Sequence, residues 1–282
     1  MLKRRFATAI IALLIALIAI IAATFAWYIY NTNAHTTNVH MSAGASASIQ
    51  ISNTYDGTYG SSALLDEFIG SLNPVSTNLI TGGFQKVTGY SNGSENQSKL
   101  VANLFGSVES SDYYMTTLYL RTSGQAMTVY VSGIDYEDSD SDNPISTAIR
   151  VGLVTHAAGK NQSTSDEFIF AINSADNPQA DYNTSTGEEG YVLDYSKTDG
   201  TTVKLTPYTS SNFASYDKST GEVTVNSNSV AICTLPGGSS DAAGEAVQVD
   251  VYIWLEGCDK DCTNNLCQTT LKNLSVSFAG TN

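Results

Sequence analysis

Positive charge is what this chain has least of. Thirteen Lys and Arg stand against twenty-seven Asp and Glu, for a formal net charge of -14, and charged residues of both signs make up only 14% of the 282 positions. That balance makes nucleic acid and anionic lipid surfaces poor partners, because like charges repel and no basic patch exists to release counterions. Histidine is scarcer still: His35, His40 and His156 are the whole set. They form no H-E-x-x-H pair, and no phosphate-cradling glycine loop or cysteine with an adjacent base accompanies them, so no catalytic motif of these kinds is present. Proline is also sparse, at five residues, and no Pro-rich linker divides the chain.

One long apolar run dominates what is there. Lys3, Arg4 and Arg5 precede Phe6 to Tyr28, a stretch without charge that is rich in Ile, Leu and Ala. At about 1.5 Å per residue a helix of roughly 20 such residues spans a hydrocarbon core of about 30 Å, and the basic flank predicts a cytoplasmic N-terminus. The small residues around Ala26 offer a peptidase cut before Trp27, as a signal peptide would. Residues 1–30 therefore read as a signal peptide or transmembrane helix, either of which places the remainder outside the cell.

After Asn31 the apolar residues alternate with polar ones, the signature of strands with one face in a core. Strands are expected at Ser46–Ser52, Tyr114–Thr122, Met127–Ser132, Ala148–Val154, Glu167–Ile172, Glu222–Val225, Val230–Leu235, Val247–Leu255 and Leu274–Phe278. The turn at Ser123-Gly124 predicts a hairpin between the second and third, and the fourth and fifth form another expected pair. Residues 174–219 read as long loops with short strands such as Thr202–Leu205. Ser62–Ile69 alone shows helical spacing. The expected class is all-β, an antiparallel two-sheet sandwich of jelly-roll type behind one N-terminal hydrophobic helix. Residues 31–45 form an extended linker or donor segment, and 46–282 a β-sandwich domain with loop insertions.

Two clusters invite site readings. Asp135-Tyr136-Glu137-Asp138-Ser139-Asp140-Ser141-Asp142-Asn143 packs its carboxylates after a strand. The alternate spacing of Asp138, Asp140 and Asp142 suits one hard cation, so calcium is the candidate cofactor against the plainer reading of a solvated loop. An EF-hand is excluded by Asn143 at its glycine position and Ile149 at its bidentate Glu position. The four cysteines, Cys233, Cys258, Cys262 and Cys267, all lie in the last quarter. An even count in an exported chain favours disulfides over zinc, since paired C-x2-C knuckles are lacking. Three pairings exist; Cys258 with Cys267 and Cys233 with Cys262 is preferred.

The leader end Ala23-Thr24-Phe25-Ala26-Trp27, the polar Thr36-Thr37-Asn38 and the segment Ala43 to Ser52 resemble the N-terminus of the TasA and camelysin group of exported proteins. Tyr119-Leu120-Arg121, Ala148 to Val151 and Val251 to Cys262 look like segments of related surface proteins. The resemblance implies a jelly-roll-like sandwich, a dedicated signal peptidase acting at Ala26, and self-association into fibres or a biofilm matrix. In such fibres the segment after the leader adds as a strand to the next subunit, which here makes Trp27 to Ser48 the donor; the plainer reading of that segment is a stalk. The expected function is an extracellular structural subunit with no enzymatic activity. The alternative is a membrane-anchored surface adhesin or carbohydrate-binding module, held by residues 6–28 and using exposed tyrosines. A camelysin-like metallopeptidase is the remote third, and the three isolated histidines speak against it.

Overall fold

The computed structural model describes residues 35–37, 40–43, 49–64, 72–77, 79–92, 100–174, 205–217, 219–259, 261–262, 266 and 270–282. The apolar run at 6–28 and the cleavage residues Ala26 and Trp27 lie outside them. Among the described residues no helix is long and apolar enough to cross a membrane.

The chain is mostly strand. In order these are β1 (His35–Thr37), β2 (His40–Ala43), β3 (Ile49–Ser52), β4 (Ser62–Leu64), β5 (Pro74–Ser76), β6 (Gln85–Asn92), β7 (Leu100–Gly106), β8 (Tyr114–Thr122) and β9 (Met127–Asp138). Then follow β10 (Ile149–Ala158), β11 (Thr164–Ala171), β12 (Leu205–Thr206), β13 (Ser215–Asp217), β14 (Glu222–Thr224), β15 (Ala231–Leu235), β16 (Val247–Glu256) and β17 (Thr270–Thr281). The larger sheet runs β12-β11-β10-β16-β5-β6-β7, with β8 also on β16 and β3 on β8; the smaller runs β15-β9-β17-β2-β4, with β1 also on β17. Strands β13 and β14 form a separate ribbon.

Alternation explains the core. On β8, Tyr114, Leu118 and Leu120 are buried; on β16, Val247, Val249, Val251 and Ile253; on β17, Leu274, Val276 and Phe278. One apolar cluster draws on both sheets through these residues. At roughly 25 cal/mol per Å² of apolar surface removed from water, this is the main favourable term.

Three expectations change. Strands β8 and β9 do not form a hairpin: β8 pairs with β16 and β3, and β9 with β15 and β17. The corner at Ser123-Gly124 instead carries the chain from one sheet to the other, held by Gly238 N–H on the Gly124 carbonyl and Gly244 N–H on that of Thr122. An inward-facing alternation is the same for either connection, so periodicity could not separate them. The expected helix at Ser62–Ile69 begins as strand β4, opposite His40–Ser42 of β2; residues 65–69 lie outside the described set. The carboxylates at 135–138 belong to β9, which runs to Asp138, so the acidic loop starts later than expected. The β10–β11 pairing is found as expected, with Val151 opposite Phe170.

Candidate functional site

Two parts of the segment that reads as donor or stalk, residues 35–37 and 40–43, are strands, and the rest of 27–48 lies outside the described residues. β17 pairs antiparallel with β9 along one edge, and its other edge takes β1 and β2 in parallel. His35 to Thr37 lie against Thr270 to Lys272, and His40 to Ala43 against Ser275 to Phe278. These contacts involve strands of 3 and 4 residues. Each backbone hydrogen bond contributes on the order of 0.5–1.5 kcal/mol net, so the hold is modest. His35 and His40 sit in this ladder, apart from His156 on β10.

The second candidate surface is the face of the larger sheet turned away from the shared core. Phe84 and Tyr113 stack at 4.4 Å with an 18° tilt, and Phe84 meets the Trp254 ring edge-on at 5.3 Å. Tyr252 lies beside them, its phenol pushed up to about 12 chiefly by burial. Further along, Arg121 lies 3.8 Å above the Tyr59 ring, a cation–π contact, and donates from Nε to Gln50 Oε1 at 2.9 Å. Tyr55 and Tyr119 meet edge-on at 5.6 Å.

Between the two aromatic groups lies a polar knot. Asp250 Oδ1 accepts from Thr117 Oγ1 at 2.6 Å and from Gln248 Nε2 at 2.9 Å, while Oδ2 is 2.8 Å from His156 Nε2. His156 Nδ1 faces the Gln162 carbonyl at 3.0 Å. The residues are those of a hydrolase triad, but the wiring is not. A nucleophilic hydroxyl must donate to the imidazole, whereas Thr117 donates to the carboxylate. His156 is thus a clasp between β10 and β16, held more firmly than a plain surface histidine. A G-x-S-x-G string also occurs, Gly89 to Gly93, but Ser91 lies within β6, opposite Val101 of β7. The hydrolase elbow needs a strand-to-helix turn.

Where the chain buries charge, it supplies partners. Arg150 and Asp259 form an ion pair with both side chains at 0% exposure. Next to it, Glu256 Oε2 accepts from the Trp254 indole at 3.0 Å and Oε1 from the Cys258 N–H at 3.0 Å. Burial pushes the Glu256 carboxyl up, opposed only in part by Ser76, Trp254, Arg150 and the Cys258 N–H. Asp112 is a third such group: its Oδ1 accepts from Lys86 Nζ at 2.8 Å and Asn73 Nδ2 at 2.5 Å, and its Oδ2 from the Glu109 N–H at 2.8 Å. Burial alone would raise this carboxyl, but the Glu109 N–H, Lys86 and Asn73 together hold it below the usual range. Neither cluster was singled out from sequence, because their members are far apart in the chain and each looks ordinary in its own segment.

The calcium candidates are not brought together. Both oxygens of Asp138 are taken by Ser146, the N–H at 3.0 Å and the hydroxyl at 2.6 Å. Asp140 turns back on its own loop, accepting from the Asp142 N–H and the Asn143 amide, which lower its carboxyl. Among the described residues no three His, Cys, Asp or Glu side chains converge on one point. Neither preferred cysteine pairing is seen among the described residues. Cys233, on β15, and Cys258, after β16, carry free thiols. Cys233 packs with Cys262 against the shared core, while Cys258 packs on the opposite face of the larger sheet. Burial pushes both the Cys233 and Cys258 thiols up, Cys233 to about 12. Cys267 lies outside the described residues. No family model, curated protein or solved structure matches the chain.

Proposed function

We propose that this chain is an extracellular structural subunit of a surface filament or biofilm matrix, exported across the cytoplasmic membrane and cut by signal peptidase between Ala26 and Trp27. Its two sheets form a jelly-roll-like sandwich, and subunits join by strand addition of the segment that follows the leader.

The observation that carries this reading is the parallel seating of β1 and β2 on β17. A strand that fits its own chain's edge fits the same edge of an identical copy, so exchange of that strand links copies without any new contact surface. Displacing it exposes unpaired backbone groups along β17, which the next subunit's segment satisfies. Because the exchanged segment and its acceptor edge are different parts of the chain, the contact is head-to-tail and propagates. The low charge and hydroxyl-rich composition suit an external surface, and assembly needs no cofactor.

The test is deletion of residues 27–48 from the secreted protein. The shortened chain is expected to remain monomeric while the intact chain forms filaments; filaments from both would remove strand exchange. A cysteine pair at the facing positions His40 and Ser275 sharpens the result. Oxidation of assembled material should give a covalent ladder of copies, and monomers linked only internally would count against exchange.

A second reading, a membrane-anchored adhesin or carbohydrate-binding module, is favoured by the stacked Phe84 and Tyr113 beside Tyr252. Aromatic faces flanked by amides and hydroxyls suit neutral sugars. Saturable binding of a neutral polysaccharide, lost in Tyr113→Ala, would support it.

A further inference from the structure

Asn73 stands immediately before β5, and two residues later Val75 pairs with Lys86 of β6. Directly opposed residues of an antiparallel ladder project to the same face, as do residues two apart along a strand. Asn73 and Lys86 are therefore diagonal neighbours on one face of the larger sheet. The chain leading into β8 sets Asp112 over this pair, anchored by Asn73 N–H on the Asp112 carbonyl at 3.0 Å. A single oxygen, Asp112 Oδ1, is then within hydrogen-bond reach of both the Lys86 amine and the Asn73 carboxamide. Asp112 is 1% exposed. Asn73 Oδ1 is buried and has no hydrogen-bond partner among the described residues, an arrangement that costs free energy if it is the final state.

We propose that Lys86 and Asn73 join in an intramolecular amide bond, with Asp112 carrying the protons. The Asp112 carboxylate takes a proton from the Lys86 ammonium, and the neutral Nζ attacks Cγ of Asn73. The bond from Cγ to Nδ2 breaks as Asp112 returns its proton to the departing nitrogen. Nζ gives up two protons in all, both end on Nδ2, and it leaves as ammonium. Nothing is oxidised or reduced and no cofactor takes part. Holding the half-buried amine and amide against a buried proton carrier supplies the effective concentration that separate side chains in water lack.

Pro74 makes this reaction easy to recognise. The common way for an asparagine to lose ammonia is attack by the backbone nitrogen of the next residue. Proline has no N–H to do so, which leaves Lys86 as the nucleophile at hand. The product would fasten β5 to β6. Since β5 has only 3 residues and joins β16 to β6 and β7, the link would strengthen the sheet at one of its two-pair ladders. This inference does not depend on the filament reading.

The experiment is a tryptic digest of the folded full chain after denaturation, read by mass spectrometry. Cleavage after Lys86 is expected to be lost, and the peptide spanning residues 73 and 86 should be lighter by one ammonia, with fragments that place the link. A peptide ending at Lys86 with its full mass would overturn the proposal. Lys86→Arg keeps the positive charge beside Asp112 without a primary amine, so it should restore both the cut and the full mass. Ammonia loss at Asn73 persisting in that variant would also sink the idea. Asp112→Asn should leave the two residues unlinked, and a link formed to the wild-type extent would remove Asp112 from the reaction.

Discussion

The two faces of the β10–β16 pair are built on opposite principles. Toward the shared core point Val151, Leu153, Val249, Val251 and Ile253, all 0% exposed, and their stabilisation is non-directional burial. The reverse face of the same strands has a smaller apolar cluster around Val154 and Trp254, but it also carries Arg150, His156, Asp250 and Glu256, covered to different depths and each tied to a named partner. The reverse face is closely packed at Gly152, where a Cβ would lie 2.5 Å from the Ile80 side chain and 2.9 Å from Trp254. One face tolerates any apolar set of the right volume, whereas the other tolerates charge only while every partner stays in place.

Breaking the ion pair is the largest test of that contrast. Asp259→Ala removes the ion-pair partner of the buried Arg150 and should lower unfolding stability by about 4 kcal/mol, seen as a lower denaturant midpoint. The double replacement Arg150→Met with Asp259→Leu should recover most of the loss, because an apolar pair has no desolvation penalty. If the double variant is as unstable as the single one, the reverse face does not depend on paired charge.

On the core face, Leu153→Ala should cost about 3 kcal/mol through lost burial and the cavity left behind. No second substitution on the reverse face should rescue it. Additivity with Asp259→Ala, measured by equilibrium denaturation, would show that the faces act independently.

The smallest effect is a pH dependence. Glu256 has a raised carboxyl in the folded state, so the folded chain holds that proton more tightly than the unfolded one. Its contribution is fully present below the ordinary value of 4.5 and is lost as pH rises through the raised folded value. Glu256→Gln keeps an acceptor for the Trp254 indole and cannot ionise. It should flatten the stability profile above about pH 4.5, the ordinary Glu range. An unchanged slope would mean that Glu256 does not titrate in this window.

Much of the fold was legible because periodicity depends on a residue's own neighbours. Tyr114–Thr122, Val247–Leu255 and the β10–β11 pair could be located from alternation alone. The β8–β9 connection could not, since Thr122 and Met127 face inward whether the chain reverses within one sheet or crosses to the other. The carboxylates at 138, 140 and 142 looked convergent by spacing, yet Ser146, distant in the loop, claimed both oxygens of Asp138. Asn73, Lys86 and Asp112 gave no signal, each being a common polar residue near a turn or strand.

The sequence by itself determined a β-rich, acidic chain behind a long apolar segment, because composition and alternation act locally and need no knowledge of partners. Only the tertiary structure decided which edges meet, seating the N-terminal strands on β17, and which polar groups share a buried site. Such choices rest on register and on hydrogen bonds between residues far apart in the chain, where one slipped pair would turn every side chain to the wrong face.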